Sequence, residues 1–305
     1  MPSIKNFVKK HERLKRAALL LMGRKSIKKK GFHTTAEAVD LIILALKKKV
    51  PNNFDCIVGI PRAGLLFANI LASTYGTPLA TPEGFVRGEI WFAHEIKVAR
   101  MHRVLVVEDS VVTGSQLQKA KDLLTGFDSS LEVETLAIFK TKSDYKCPVT
   151  YSLVNHDSWT LAEWNLLTSL GFIGKLAVDM DGVICEDCPP ESDDDSSRYL
   201  KWMSSAKPLL IPRFEIEAIV TSRLEKYRQQ TMKWLLENNI KYKKLIMLNL
   251  PSKEDRTYKT VVDFKVSNIK KIGPYWFWES NLNEAKEIAL ACHIPVLCTA
   301  DMQVF

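Results

Sequence analysis

The spacing of hydrophobic positions changes along the chain, and each spacing predicts a type of element. In the first 22 residues, one face of an amphipathic helix is outlined by residues three or four positions apart. They are Ile4, Phe7, Val8, His11, Leu14, Ala18 and Leu21. A second helix is predicted to begin at Thr34, because Thr34 and Glu37 have the spacing of a capping box.

From residue 55 onward, short apolar runs alternate with helical patterns, which is typical of βαβ units in a parallel sheet. The first series has predicted strands at 55–60, 103–107 and 132–139, and helices at 62–74 and 115–124. The second has predicted strands at 175–179, 215–221, 243–248, 275–279 and 295–298, and helices at 224–238 and 282–292. We expect an α/β protein with two doubly wound, Rossmann-like domains, over residues 33–172 and 173–305, after a basic helix over residues 1–32.

Composition and charge fit this organisation. A chain of 305 residues suits two domains, and 46% hydrophobic with 26% charged residues describes a globular protein. No uncharged apolar run approaches the roughly 20 residues of a membrane span. The six cysteines are scattered rather than arranged as a disulfide framework, so we expect a cytoplasmic protein that has no contact with membranes.

The net charge of +8 is concentrated in one segment. Residues 1–30 contain eleven Lys or Arg residues and one acidic residue, which gives this segment a net charge of +10. The net charge of the remaining chain is therefore −2. The basic segment could bind nucleic acid, bind an acidic partner, or pack its apolar stripe on the protein and leave a solvated basic face.

In the first series, an apolar strand leads into two adjacent acids and then a Thr-Gly-Ser turn. Glu108 and Asp109 follow Val107, and Thr113–Ser115 opens the next helix. Ligands bind at the carboxyl ends of strands in open α/β sheets. The backbone amides of such a turn suit a phosphate, and the carboxylates suit sugar hydroxyls. The segment therefore predicts a sugar-phosphate site.

This segment resembles the ribose-phosphate motif of type I phosphoribosyltransferases, which use phosphoribosyl pyrophosphate (PRPP). The resemblance implies that Glu108 and Asp109 bind the ribose hydroxyls and that Thr113, Gly114 and Ser115 bind the 5′-phosphate. Residues 58–64 are similar to the pyrophosphate loop of that family. In that loop Arg62, Ala63 and Gly64 are expected to hold the pyrophosphate with Mg²⁺.

Two departures leave the base specificity open. The purine-salvage members have an acid at the position that Val112 occupies here. The mobile loop of the family is expected within residues 83–100, where the candidate side chains are Arg87, His94, Lys97 and Arg100.

The second series begins with a buried strand that ends in Asp-x-Asp-Gly, at Asp179 and Asp181. Two carboxylates at this spacing can serve one centre, one as a nucleophile and Mg²⁺ ligand and the other as a proton donor. The motif resembles the first motif of the haloacid dehalogenase (HAD) superfamily. That resemblance implies Asp179 as the nucleophile and Asp181 as the general acid, with Asp179, Asp181 and Glu279 as metal ligands. It places the second motif at residues 219–223, where Thr221 hydrogen-bonds the phosphoryl group. Lys265 is the neutralising lysine, with Lys259 as its alternative, and Asn281 stands where the family has an acid.

Together these resemblances imply a bifunctional enzyme of nucleotide metabolism. The first domain would transfer a phosphoribosyl group from PRPP to an unidentified base, and the second would hydrolyse the resulting nucleotide monophosphate through a phospho-aspartate, with Mg²⁺ in both steps. The alternative is an effector, toxin or sensor of a bacterial or phage defence or stress system that binds its partner through residues 1–30. A homodimer is compatible with either interpretation.

Two further patterns are interpreted as structural. Cys185 and Cys188 have the spacing of a zinc pair but lack a second pair, so we expect ordinary thiols. The acidic stretch 186–195 is expected to begin the insertion that caps the second site, with solvated acids favoured over acids that repel anionic substrates.

Overall fold

The computed structural model describes residues 32–48, 50–92, 101–141, 147–156, 161–168 and 175–305. The chain divides into two compact units between Trp164 and Asn165. The predicted basic helix lies outside the described residues except for Phe32, which belongs to a strand. The boundary predicted at 172/173 also falls among undescribed residues and stays a prediction.

The first unit alternates strands and helices, as the apolar pattern predicts. Its strands are β1 (Phe32–His33), β2 (Cys56–Gly59), β3 (Leu79–Ala80), β4 (Arg103–Val111), β5 (Glu132–Thr141), β6 (Tyr151–His156) and β7 (Leu161–Ala162). Its helices are α1 (Thr35–Lys47), α2 (Ala63–Tyr75), α3 (Pro82–Arg87) and α4 (Ser115–Phe127).

Five of these strands form a parallel sheet in the order β3-β2-β4-β5-β6. Helices cover both faces, so alternate residues of β4 enter different cores. Val106 belongs to the core with Leu117 of α4, whereas Leu105 belongs to the core with Leu71 of α2. After β2 the chain continues to β3 on one side of the sheet, and after β4 it continues to β5 on the other side. The β2/β4 junction is therefore a topological switch point. A separate two-stranded parallel sheet pairs β1 with β7.

The second unit begins with β8 (Leu176–Val178). It continues through α5 (Ser197–Ser205), β9 (Ile216–Leu224), α6 (Arg228–Glu237), β10 (Tyr242–Leu248), α7 (Tyr258–Ile272), β11 (Trp276–Glu279), α8 (Leu282–Cys292), β12 (Val296–Cys298) and β13 (Gln303–Val304). Its sheet has the order β10-β9-β8-β11-β12-β13. The switch point lies between β8 and β11.

The prediction of two parallel sheets is confirmed for the first unit only. In the second, β13 turns back after β12 and pairs antiparallel with it, so the sheet is mixed. The apolar pattern does not delimit the two-residue strand β3 or the helix α7. Two residues give no readable period, and α7 carries its buried Lys265 at a position where an apolar residue is expected. Within the described residues, no helix is both long and apolar enough to cross a membrane.

Candidate functional site

The loop after β2 lies directly against the end of β4. A Cβ atom added to Gly64 would be 2.7 Å from the carbonyl oxygen of Val107 and 3.1 Å from Cα of Glu108. Only glycine allows α2 to begin this close to β4, because any side chain would displace backbone. The peptide between Pro61 and Arg62 is cis, and the Arg62 side chain is exposed. The predicted pyrophosphate loop and the predicted ribose acids are therefore neighbours.

The two acids at the end of β4 differ in the groups that shift the pKa of each carboxyl. Burial raises the pKa of Glu108 to about 8, and the neighbouring Asp109 adds to the shift. Burial also raises the pKa of Asp109, but the indole of Trp164 opposes this because its Nε1 donates to Asp109 Oδ2 at 3.0 Å. Arg62 lowers the pKa of Asp109 as well, so its charge acts on the same carboxyl.

The turn after β4 presents donors at the start of α4. Gly114 has φ +70° and carries no capping side chain. Thr113 Oγ1 and Ser115 Oγ lie 3.0 Å apart in a hydrogen bond. The first backbone N–H groups of a helix have no partner within the helix, so this turn offers amides and hydroxyls to an anion.

Trp164 is positioned by an aromatic cluster next to the two-stranded β1/β7 sheet. Its ring stacks on Phe139 with centroids 5.9 Å apart, and it meets Phe67 edge-on at 5.2 Å. His33 of β1 stacks on Phe139 at 4.0 Å. The backbone N–H of Thr35 donates to Glu163, which precedes Trp164. The β1/β7 pairing therefore fixes the indole that contacts Asp109, a role that the sequence analysis missed.

In the second unit, one buried ammonium lies among three carboxylates. Lys265 is 2% exposed. Its Nζ is 2.6 Å from Asp179 Oδ2, 2.7 Å from Glu279 Oε2 and 2.7 Å from Glu284 Oε2. Burial opposes its charge, but the three carboxylates raise its pKa well above the ordinary value. The structure thus brings together three predicted residues and adds Glu284, which the sequence analysis missed.

This lysine cluster, defined as Asp179, Lys265, Glu279 and Glu284, contains more negative than positive groups. Burial raises the pKa of Glu279 to about 8. Lys265 opposes that shift, whereas Asp179 and Glu284 add to it. The other oxygen of Glu279 accepts from the backbone N–H groups of Ser280 and Asn281. Asn281, predicted as a substitute for an acid, instead caps α8.

Asp181 forms an ion pair with Arg223 rather than with Lys265. Arg223, whose side chain is fully buried, donates from Nε to both carboxylate oxygens at 3.1 Å and from Nη2 to Oδ1 at 2.6 Å. The hydroxyl oxygen of buried Thr221 accepts from the backbone N–H of Arg223 at 3.2 Å. Arg223 belongs to a segment that the sequence analysis singled out, but its pairing with Asp181 was not foreseen.

The turn after Asp181 is packed closely. Gly182 has φ +71°, and a Cβ there would lie 2.5 Å from the Ser280 side chain and 2.6 Å from Asp187 Oδ2. Ser280 Oγ donates to the backbone oxygen of Asp181 at 3.1 Å. A glycine at this position allows Asp187 to approach the turn that follows Asp181.

The residues predicted to bind Mg²⁺ are Asp179, Asp181 and Glu279. Carboxylate oxygens are the ligands Mg²⁺ prefers, and the surplus of acids in the lysine cluster fits a divalent cation. In the described part of the chain, however, no group of three His, Cys, Asp or Glu side chains is arranged to hold a metal. Asp179 and Glu279 fit such an ion by chemistry and position, because three carboxylates share the single ammonium of Lys265. The Asp181 carboxylate, in contrast, is paired with Arg223 alone among the cations of the described residues.

The remaining candidates have structural partners or lie outside the described residues. Arg87 forms an exposed ion pair with Glu89, while His94, Lys97 and Arg100 fall in the undescribed 93–100. Lys259 is also on the surface, paired with Asp263. Cys185 and Cys188 are free cysteines.

The acidic stretch 186–195 is less solvated than expected. Asp194 accepts from the backbone N–H groups at the start of α5, and Asp195 accepts from Lys226, Tyr227 and the N–H of Lys253. Asp193 pairs with Arg256. These acids anchor the insertion to its own unit.

Comparison with known proteins identifies one domain family. Residues 32–166 match the family described as "Phosphoribosyl transferase domain". The chain has no match among curated protein sequences.

Three of the solved structures that the chain is similar to are phosphoribosyltransferases of low identity. A purine phosphoribosyltransferase from Pyrococcus horikoshii is 21% identical, with 44% of this chain and 94% of that chain covered and a TM-score of 0.34. A xanthine-guanine-hypoxanthine phosphoribosyltransferase from Helicobacter pylori is 14% identical, with 45% and 92% covered and a TM-score of 0.34. An orotate phosphoribosyltransferase from Aeropyrum pernix is 19% identical, with 39% and 70% covered and a TM-score of 0.30.

Proposed function

We propose that the first unit, in which residues 32–166 match the phosphoribosyl transferase domain family, transfers the phosphoribosyl group of PRPP to a nitrogenous base. The observation that carries the proposal is the contact between the loop at Gly64 and the β4 end at Glu108. It joins the segment proposed to hold pyrophosphate to the segment proposed to hold ribose, at a topological switch point.

Each segment then has one task in the transfer. Arg62, Ala63 and Gly64 bind the pyrophosphate, Glu108 and Asp109 accept hydrogen bonds from the ribose hydroxyls, and Thr113, Gly114 and Ser115 bind the 5′-phosphate. A nitrogen of the base attacks C1 of the ribose while the C1–O bond breaks and pyrophosphate leaves. When bound, Mg²⁺ neutralises charge on the pyrophosphate, which one arginine cannot do alone.

Replacement of the ribose acids tests this assignment directly. We expect Glu108→Gln and Asp109→Asn each to weaken PRPP binding, because charge-assisted hydrogen bonds worth about 1.5–3 kcal/mol are lost. That loss corresponds to about a 10- to 100-fold rise in Kd, measurable by titration calorimetry with Mg-PRPP at about pH 9, where Glu108 is mostly ionised. Glu132→Gln in the exposed start of β5 is the matched control. Equal affinity in all four proteins would exclude Glu108 and Asp109 as ribose ligands.

PRPP binding should also depend on pH through Glu108. Its pKa of about 8 leaves the carboxyl mostly protonated at pH 7, whereas the ionised form is the better acceptor. Affinity should therefore rise between pH 7 and pH 9, by roughly three- to tenfold, as the binding-competent fraction increases. Glu108→Gln should flatten this dependence. An affinity that falls over the same range in the unmodified protein would contradict the assignment.

For the second unit we propose a HAD-like phosphomonoesterase. Asp179 follows β8 and Glu279 ends β11, on the two strands that flank the switch point, and Lys265 Nζ bridges their carboxylates. A buried carboxylate beside a cation and a buried threonine is suited to nucleophilic attack on a phosphoryl group. An Asp179 oxygen would attack phosphorus, the bond to the leaving oxygen would break, and water would then hydrolyse the phospho-aspartate.

In that reaction the neighbouring residues stabilise charge. Lys265 neutralises the nucleophile and the phosphoryl oxygens, and the Thr221 hydroxyl donates to one of them. Asp179 and Glu279 would hold Mg²⁺, which supplies Lewis-acid stabilisation of the phosphoryl group when bound. Applied to the product of the first unit, the reaction yields a nucleoside-like compound and phosphate. It also prevents the reverse reaction with pyrophosphate, because the nucleotide is removed.

The basic segment carries the competing proposal, that of an effector or sensor bound to nucleic acid or an acidic partner. Eleven basic residues within 1–30 favour it. Turnover of PRPP and a panel of bases by purified, nucleic-acid-free protein distinguishes the two proposals. Turnover supports the metabolic enzyme, and turnover only after addition of nucleic acid supports the effector.

A further inference from the structure

The hydrogen bonds of Asp181 conflict with the role that its position implies. A general acid must carry a proton, yet both oxygens of Asp181 accept from Arg223, and Cys185 Sγ donates to Oδ1 at 3.2 Å. Arginine keeps its charge at all physiological pH values. The Asp181 carboxylate is therefore engaged as the counter-charge that a fully buried guanidinium requires.

A second carboxyl, that of Asp187, lies close to the same turn. Asp187 approaches the turn at Gly182, where only the missing Cβ makes room for its Oδ2. Among the described residues, none forms a hydrogen bond or ion pair with the Asp187 side chain. Asp187 is exposed to solvent, so a leaving group that departs toward solvent can reach its carboxyl.

We propose that Asp187, rather than Asp181, donates the proton to the leaving oxygen when the second unit cleaves a phosphomonoester. This inference rests on the phosphomonoesterase proposed above. Asp181 then acts as the partner that holds Arg223 at the strand end.

The electrostatic surroundings agree with this role. Partial burial raises the pKa of the Asp187 carboxyl, and Asp181 and Asp179 add to the shift, while Lys265 opposes it. A carboxyl with a raised pKa retains its proton closer to neutral pH, as a general acid requires. In the step itself, Asp179 forms a bond to phosphorus, the P–O bond to the leaving group breaks, and the Asp187 proton moves to that oxygen. The resulting Asp187 carboxylate can then take a proton from the water that attacks the phospho-aspartate.

Leaving-group dependence separates a proton donor from a binding or structural residue. Phenyl phosphate needs a proton on its leaving oxygen, whereas 2,4-dinitrophenyl phosphate does not. With the 305-residue chain and MgCl₂, we expect Asp187→Asn to lower kcat/KM for phenyl phosphate by about 100-fold or more. The value for 2,4-dinitrophenyl phosphate should change by less than about threefold. Glu191→Gln, an exposed acid in the same segment, should leave both values unchanged.

The other outcomes overturn the inference in distinguishable ways. Equal losses on both substrates, or no loss on either, reject Asp187 as the proton donor while the phosphomonoesterase stands. Unmodified protein that hydrolyses neither substrate nor any nucleoside monophosphate rejects both proposals together. Melting temperatures of all variants within about two degrees of each other show that the comparison concerns folded protein.

Discussion

Replacing Lys265 with Met is expected to lower the free energy of unfolding of the second unit by about 3–5 kcal/mol, because it leaves buried carboxylates without their cation. Met has a similar length and fills the space, so the loss reports charge rather than a cavity. The change is measured by urea unfolding followed by circular dichroism and by the tryptophans of β11. Lys270→Met, an exposed residue on the same helix, is the control and should stay within about 0.5 kcal/mol.

The loss should be smaller in acid. The pKa of Glu279 is already raised with Lys265 present, and it rises further without the ammonium, so protons replace the missing charge as the pH falls. The difference between the two proteins is therefore expected to be larger at pH 8 than at pH 5. A difference that is independent of pH would show that the carboxylates are not what Lys265 stabilises.

Asp179→Asn is expected to remove phosphomonoesterase activity, by at least about 1,000-fold, because an amide cannot form the phospho-enzyme. Hydrolysis of nucleoside monophosphates with MgCl₂ measures it. Asp263→Asn, the same change on an exposed residue of α7, should retain full activity. PRPP binding by the first unit should be equal in all three proteins.

Contrary results would change the interpretation of the second unit. Activity that persists in Asp179→Asn would show that the phosphate is attacked by another group. If the unmodified protein hydrolyses no monophosphate, the second unit is a binding module, and the lysine cluster has a structural role.

The elements that could be predicted are those determined by residues close to one another along the chain. The helix at Leu282–Cys292 was predicted with the bounds observed, because its period and its cap are contained in eleven consecutive residues and their neighbours. The strand before Asp179 was predicted for the same reason. The proximity of Lys265 to Asp179 followed only from the resemblance, since 86 residues separate them and no periodicity encodes that contact.

The functional residues that could not be predicted owe their roles to contacts that exist only in the folded chain. Trp164 lies beyond every recognised motif, and its importance comes from a hydrogen bond to a residue 55 positions earlier. Arg223 stood in a recognised segment, but only the folded chain shows which carboxylate it meets. Asp187 was hidden among the acids of 186–195, which look alike in sequence and differ in whether they have partners. Glu284 lies in the first turn of α8, where an acid is expected for the helix alone.

The pairing of β1 with β7 has a consequence for the order in which the chain acquires its structure during synthesis. Phe32 and His33 pair with Leu161 and Ala162, and Thr35 bonds to a residue 128 positions later. Contacts of such sequence separation form late, because the intervening chain must be ordered first. Synthesis delivers the amino-terminal partner long before the carboxyl-terminal one. The five-stranded sheet can therefore be complete on the ribosome while Asp109 still lacks Trp164, so ribose binding is expected only after residue 164 has emerged.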